Sequence, residues 1–218
     1  MKFFDRTALA EVLNQGVAAL KLELSAAQKE KLLDYLALLN KWNGVYNLTS
    51  VRDPMQMMTL HLLDSLAAVP AFQGAKSVLD VGAGGGLPGV VLAIALPDTK
   101  VAMIDTVHKK TAFLTQVKAE LGLANVTVYT KKVQELEARE PFDVISSRAF
   151  ADLSDFVTWS GHLLAEGGRF IALKGTAPAE ERERLPAPWK VSGLQPLEVP
   201  GLDAERHLVF IEKSIEIQ

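Results

Sequence analysis

The chain has 218 residues, of which 49% are hydrophobic and 22% charged, and this composition predicts one folded domain with an extension instead of two full domains. It contains no cysteine, which excludes disulfides, thiolate metal sites and cysteine nucleophiles and suits a reducing compartment such as the cytoplasm. The net charge of −3 is not that of a protein that coats nucleic acid, so any contact with RNA has to depend on local positive charge.

No secretory or membrane segment is predicted. The stretch from Met1 to Arg6 is charged before any apolar core of a signal peptide could begin. The longest mostly apolar run, Leu87 to Leu96, is interrupted by Pro88 and Gly89 and is too short to span a bilayer. We therefore expect no membrane partner.

Residues 1–70 are predicted to form a helical extension, because apolar residues recur there with a helical period. Ser25 followed by Gln28 is typical of a capping box at the start of the second helix. Asn43-Gly44 is predicted to end that helix. A third helix is expected from Asp53-Pro54 to about Ala68, because proline is favoured at the first helical position.

Residues 71–218 are predicted to form the main domain, in which strands and helices alternate. Five strands separated by helix-length connections indicate a doubly wound, mostly parallel α/β sheet with a Rossmann-like fold. Two further β-like runs, Val191 to Val199 and His207 to Lys213, are expected to form an antiparallel pair at the edge of the sheet. The five predicted strands are Ser77 to Val81, Lys100 to Ile104, Val126 to Tyr129, Phe142 to Ser146 and Arg169 to Leu173.

A glycine-rich loop follows the first strand and fits two cofactor patterns. Gly84, Gly86 and Gly89 match the G-x-G-x-x-G pattern of dinucleotide sites. The series Asp80, Gly82, Gly84 and Gly86 matches the D-x-G-x-G-x-G pattern of S-adenosylmethionine sites. In either case Asp105, at the end of the second strand, could accept hydrogen bonds from ribose hydroxyls. The loop and this acid together predict a cofactor that carries a nucleoside.

Other features favour a methyltransferase over an NAD-dependent oxidoreductase. Hydride transfer needs a group that moves a proton, and none of Tyr35, Tyr46 and Tyr129 has a lysine four residues later. The antiparallel strand pair is also more typical of the methyltransferase sheet than of the all-parallel dehydrogenase sheet, which is an analogy of fold.

The sequence also narrows the kind of methyl acceptor. A carbon of cytosine requires a thiolate, and there is no cysteine. An exocyclic amine usually requires an Asp/Asn-Pro-Pro-aromatic loop after the fourth strand, where this chain has Ser146-Ser147-Arg148-Ala149-Phe150. A ring nitrogen such as guanine N7 has no proton to lose and needs mainly alignment. Oxygen and protein acceptors remain open.

Basic residues follow several strands and could lie on one edge of an otherwise acidic protein. Arg148 and Lys174 are candidates for positioning the reactants, since Arg148 could hold the cofactor carboxylate or a guanine edge. His61, three residues before Asp64, is either part of a polar pair or structural. The candidates for RNA contact are Lys109, Lys110, Lys131, Lys132 and His61. No metal site is expected.

Six blocks in order resemble the bacterial family of small-subunit rRNA guanine-N7 methyltransferases, also called glucose-inhibited division protein B. The blocks are Lys41-Trp42-Asn43 with Tyr46-Asn47-Leu48-Thr49, His61 to Ser65, Asp80 to Gly89, Ser147 to Phe150, Ala172 to Gly175, and Arg206 to Val209. The resemblance covers nearly the whole chain.

The resemblance implies a cytoplasmic enzyme that uses S-adenosyl-L-methionine to methylate one guanine of 16S rRNA near the decoding centre. It implies that Gly82, Leu87, Val133, Gln134 and Arg148 contact the cofactor. Gln134 departs from the glutamate that the family often has, so an uncharged amide would supply that contact. We expect a monomer acting on 16S rRNA or the small ribosomal subunit. The alternatives are an NAD-dependent oxidoreductase and a non-catalytic RNA-binding assembly factor.

Overall fold

The computed structural model describes residues 3–148, 150 and 152–214 of the chain. Residues 215–218, at the end of the predicted main domain, lie outside the described residues, as does residue 149 of the predicted 147–150 block. Residues 1–2 and 151 also lie outside them.

The described residues form a seven-stranded sheet in the order β3-β2-β1-β4-β5-β7-β6. Strands β1 to β5 pair in parallel, whereas β7 pairs antiparallel with β5 and with β6 at the edge, which confirms the predicted arrangement. The carboxyl ends of the five parallel strands meet at one edge, where ligands bind in open α/β sheets. The strands are β1 (Ser77–Val81), β2 (Lys100–Asp105), β3 (Val126–Thr130), β4 (Phe142–Ser147), β5 (Leu164–Lys174), β6 (Trp189–Pro196) and β7 (His207–Lys213).

Helices cover both faces of the sheet, as a doubly wound fold requires. Because side chains alternate along a strand, Val78 of β1 joins a core with α1, α2, α5 and α6, while Leu79 joins a second core with α7. The first core also contains residues of the extension, such as Leu9 and Leu36. The helices are α1 (Arg6–Ala19), α2 (Ala26–Tyr46), α3 (Pro54–Met57), α4 (Asp64–Ala68), α5 (Gly89–Ala95), α6 (His108–Glu120), α7 (Leu153–Ser160) and α8 (Ala179–Glu183).

The start of α2 is confirmed and its predicted end is wrong. Ser25 and Gln28 form the reciprocal capping box. The helix passes through Asn43-Gly44 to Tyr46 and ends where Asn47 takes a left-handed backbone conformation, φ 52°. Asn43 does not break the helix, and its side chain bonds the following loop, accepting from the Thr49 N–H and donating to the Val51 carbonyl. Asparagine can lie within a helix or end it, and here Asn47, not Asn43, ends α2.

The third predicted helix is confirmed, with a change of winding that the sequence did not predict. Asp53 caps α3 by accepting from the Met55 N–H, and the helical path continues to Ala68. Between α3 and α4, residues Met58–Leu63 form a π-helical turn. Short π segments within helices occur frequently at functional sites. This one carries His61 and directly precedes Asp64.

Two connections differ from the expected pattern. The β3–β4 connection has the length of a helix but contains one 3₁₀ turn, Val133–Glu135, in which only Val133 is buried. Strand β5 begins at Leu164, earlier than the predicted Arg169, because Leu164 already pairs with Phe142 of β4. A register shift follows this pair, so the alternation of buried and exposed residues that marks a strand is interrupted there. Within the described ranges, no helix combines the length and apolar character needed to cross a bilayer.

Candidate functional site

The glycine loop after β1 depends on backbone conformations that favour glycine. Gly82, Gly84 and Gly86 all have positive φ angles, of 69°, 56° and 94°. A Cβ atom on Gly86 would lie 2.5 Å from Cγ2 of Val90. The Tyr35 hydroxyl of α2 donates to the Gly85 carbonyl at 2.6 Å, so the extension holds the loop from outside the sheet. The result is a fixed bend with little side-chain cover.

Asp80 supports this loop from inside the protein. It is fully buried, and its Oδ2 accepts from the Gly89 N–H at 2.9 Å at the start of α5. Its Oδ1 has no hydrogen-bond partner among the described residues. Burial raises the pKa of Asp80 to about 7, an effect that the Gly89 N–H and the charge of Arg148 partly offset. Asp80 therefore fixes the start of α5 behind the glycine bend.

Asp105 links the glycine loop to the helix that follows β2. Its Oδ2 accepts from the Gly84 N–H at 3.0 Å, and its Oδ1 accepts from the Val107 N–H at 2.9 Å. Lys110 Nζ lies 3.8 Å from Oδ2. A carboxylate has about four lone-pair sites, so Asp105 retains capacity to accept hydroxyl hydrogen bonds from a ligand.

A large cleft of about 710 Å³ opens beside Asp105 at the carboxyl edge of the sheet. Gly82, Asp105, Val133 and Gln134, all predicted to bind the cofactor, line it. Two aromatic residues that the sequence reasoning did not single out for this role, Phe150 and Trp159, also line it, with ring centroids 5.5 Å apart. The position of Phe150 directly after β4 is the signal that could have identified it.

A smaller cavity of about 220 Å³, the glycine cavity, lies on the other side of the loop. Gly84, Leu87 and Arg148, the remaining predicted cofactor residues, line it together with Thr49. Gly82 lines both this cavity and the large cleft. The predicted cofactor residues are therefore gathered around two adjoining spaces.

A third space of about 400 Å³, the arginine cavity, adjoins the glycine cavity. Arg148 lines both it and the glycine cavity. On its wall Asp64 accepts from Arg206 Nε at 2.8 Å and from Arg148 Nη1 at 3.4 Å. Arg148 Nη1 also lies 3.4 Å from the carbonyl oxygen of Leu60 in the π-helical turn. Asp64 thus joins the extension to the end of β4 and to the residue before β7.

His61, expected to contact RNA, does not lie on the open surface. The residue is only 6% exposed, lies in the wall of the arginine cavity, and its Nε2 is 2.9 Å from Oγ1 of Thr49. Burial, together with the charge of Arg148, lowers its pKa to about 4, so it is uncharged at neutral pH. An uncharged buried ring cannot attract phosphate from solvent.

The lysine candidates fall into two groups. Lys110, Lys131 and Lys132 line the large cleft, and Lys109 is exposed next to them on α6. Lys174 lies on the wall of the arginine cavity, where its Nζ is 2.9 Å from a carboxylate oxygen of Glu181 and donates to the Phe150 carbonyl. Glu181 belongs to α8, which the sequence analysis did not predict. Lys174 is therefore paired with Glu181, whereas the cationic group around the large cleft has one pair of this kind, Lys110 with Asp105, among the described residues.

Comparison with known proteins gives both a family and a fold. Residues 28–209 match the family model described as rRNA small subunit methyltransferase G. The chain is 68% identical, over 98% of its own length and all of the relative's, to "Ribosomal RNA small subunit methyltransferase G" of Herminiimonas arsenicoxydans. It is 55% identical to the protein of that name in Burkholderia pseudomallei strain 1106a, covering 95% of this chain and 93% of the relative.

Among solved structures, the O-methyltransferase TomG of Streptomyces achromogenes, determined with S-adenosylmethionine, superimposes with a TM-score of 0.57 at 17% identity. That match covers 90% of this chain and 93% of TomG. Likeness at this identity concerns the fold, which is the Rossmann-like fold of S-adenosylmethionine-dependent methyltransferases. The family model and the relatives give the closer relationship: this chain belongs to the rRNA small subunit methyltransferase G family.

Proposed function

We propose that the protein transfers the methyl group of S-adenosyl-L-methionine to N7 of one guanine in 16S rRNA. The observation that carries this proposal is the row of three adjoining spaces at the carboxyl edge of the sheet. The large cleft and the glycine cavity share Gly82, and the glycine cavity and the arginine cavity share Arg148. A nucleoside cofactor in the first two spaces would direct its reactive group towards the third.

The residues present fit this cofactor. The glycine bend leaves backbone exposed where a bulky side chain would fill the space, and Asp105 offers acceptor capacity for ribose hydroxyls. Val133 and Gln134 would lie along the nucleoside, and Leu87 and Arg148 along the amino-acid portion. When bound, S-adenosylmethionine supplies a methyl group on a positively charged sulfur. Phe150 and Trp159 would help to exclude water from the cleft.

The polar groups near the junction suit an acceptor that loses no proton. His61 is buried and hydrogen-bonded to Thr49, and Asp64 is ion-paired with Arg148 and Arg206, so neither is arranged as a general base. When N7 of guanine attacks the methyl carbon, the N7–C bond forms as the S–C bond breaks, and no proton has to leave. Alignment of the two reactants then provides most of the catalysis. Relatives named for rRNA favour an RNA base over the oxygen and protein acceptors.

Lys109, Lys110, Lys131 and Lys132 would contact rRNA phosphates around the mouth of the large cleft. Their clustering supplies the local positive charge that the net charge of −3 does not. The proposal includes a cytoplasmic monomer acting without a membrane. The absence of cysteine suits the reducing cytoplasm.

The other two functions lack a specific observation in their favour. The glycine pattern of a dinucleotide site overlaps that of S-adenosylmethionine sites, but the relatives are named as methyltransferases. The same names weigh against a non-catalytic assembly factor.

The proposed function is tested by incubating the protein with methyl-labelled S-adenosylmethionine and small ribosomal subunits purified from cells that lack the modification. Label should enter 16S rRNA and should appear as 7-methylguanosine after nuclease digestion. Calorimetry with S-adenosylhomocysteine and NAD in parallel should detect binding of the first compound only. Binding of NAD alone, or label in protein, would contradict the proposal.

A further inference from the structure

The arginine cavity has a composition that the transfer of a methyl group does not by itself explain. Among the described residues that line it, Asp64 is the only carboxylate. This carboxylate is 4% exposed and is held between Arg148 and Arg206, which come from sequence positions far from it. His61 lies in the same wall and is 94% buried. The cavity is therefore lined by polar groups that are held in place.

The chemistry of the reaction restricts how the acceptor base can be recognised. The most common protein contact to guanine is an arginine that donates to both O6 and N7. That contact occupies the N7 lone pair, which has to remain free to attack the methyl group. The Watson–Crick edge stays available when N7 is kept free, and there guanine presents N1–H and the N2 amine as donors and O6 as an acceptor.

The complement of that edge is two neighbouring acceptors beside a donor. The Asp64 carboxylate supplies the two acceptors, and the arginines at 2.8 and 3.4 Å from it supply N–H donors alongside. Adenine, with an acceptor at N1 and no N2 amine, would place its own acceptor against the carboxylate. The wall thus distinguishes guanine from adenine by the positions of its hydrogen-bond acceptors and donors.

The location of the cavity fits this role as well. Arg148 lines both the glycine cavity and the arginine cavity, so its side chain extends from the end of the proposed cofactor site to Asp64. A purine whose N1 and N2 face Asp64 carries N7 on the opposite side of its ring system. The volume of about 400 Å³ accommodates a nucleobase.

We propose that the arginine cavity holds the acceptor guanine and that Asp64 reads its Watson–Crick edge, accepting from N1–H and from the N2 amine. This inference rests on the proposed function, since it names the acceptor subsite of that reaction. It requires the guanine to be unpaired or turned out of its helix, because pairing would block the same edge. Arg148 and Arg206 hold the carboxylate in place and present the donor for O6.

The inference is tested by combining a change in the base with a change in the protein. 16S rRNA is made by splinted ligation with either guanosine or inosine at the methylated position. Each RNA is then reconstituted with ribosomal proteins into small subunits. Inosine keeps N1–H, O6 and N7 but lacks the N2 amine. The quantity measured is the ratio of kcat/KM for guanosine and inosine substrates with one protein preparation, so it does not depend on the folded fraction.

The unmodified protein should prefer guanosine by about 10- to 100-fold, as expected for loss of a hydrogen bond to a charged group. In the Asp64→Asn variant, that preference should fall to within about threefold. Glu205→Gln is the matched control, because it removes the same charge from an exposed neighbour of Arg206 outside the cavity wall and should keep the full preference.

Three results separate the possible failures. Equal use of guanosine and inosine by the unmodified protein would overturn the role of Asp64 while leaving the proposed function intact. A full guanosine preference in Asp64→Asn would overturn it in the same way. No methylation of either RNA by the unmodified protein would count against the proposed function itself.

Discussion

Replacing Gly86 by alanine should destabilise the protein much more than the same change at Gly122. Both glycines have positive φ angles, 94° and 61°, so alanine at either position incurs a backbone cost of about 1–2 kcal/mol. At Gly122 nothing lies within 4 Å of the added Cβ. At Gly86 the Cβ would lie 2.5 Å from Cγ2 of Val90 and 2.9 Å from Cδ2 of Leu114, both in the core.

Overpacking of this kind costs about 1–3 kcal/mol, which gives a total of about 2–5 kcal/mol for Gly86→Ala against about 1–2 kcal/mol for Gly122→Ala. The total is a large part of the roughly 5–15 kcal/mol by which a native protein is stable. Urea unfolding of the two variants and the parent, followed by circular dichroism, measures both losses. Equal losses for the two variants would refute the claim that close packing beneath the loop, and not only its backbone conformation, requires glycine at position 86.

Three further changes test other parts of the account. Asp80→Asn should be more stable than the parent towards neutral pH. The pKa of the Asp80 carboxyl is raised from 3.8 to about 7 in the folded protein, so the parent loses stability as pH rises through that interval, and below about pH 4 the two proteins should differ little. A gain in urea stability that does not grow with pH would contradict this. Arg148→Ala should abolish methyl transfer while the circular dichroism spectrum stays that of the parent, and near-normal turnover would make Arg148 purely structural. Removing the charges of Lys131 and Lys132 together should reduce the slope of log affinity for rRNA against log salt concentration by about 1–2, and an unchanged slope would place the phosphates elsewhere.

Much of the fold could be predicted because its signals are local. The strands that form the centre of the sheet are short apolar runs, and β1 spans the predicted residues Ser77–Val81 without change. The capping box of Ser25 and Gln28 fixes the start of α2 within four residues of sequence. The end of α2 was mispredicted because the hydrogen bonds of Asn43 to Thr49 and Val51 form only once the chain has turned back.

The features that could not be predicted depend on residues distant in sequence. Asp64 and Arg206 are separated by 142 positions, and the sequence alone gives no reason to pair them. The contact between Lys174 and Glu181 needs the short helix α8, which lies in a proline-rich stretch with no helical period. The depth of His61 could not be predicted, because a histidine in a helical sequence gives no indication of its burial, and the structure places it in the wall of the arginine cavity.

The most direct test of the account is to locate the transferred methyl group on the base. Small-subunit RNA methylated by the purified protein is treated with borohydride and then aniline, which cleaves the chain specifically at 7-methylguanosine, and the product is read by primer extension. The account predicts a single new cleavage that requires both the protein and S-adenosylmethionine. Methyl label in the RNA without any such cleavage would contradict it, because the methyl group would then lie on an atom other than N7 of guanine.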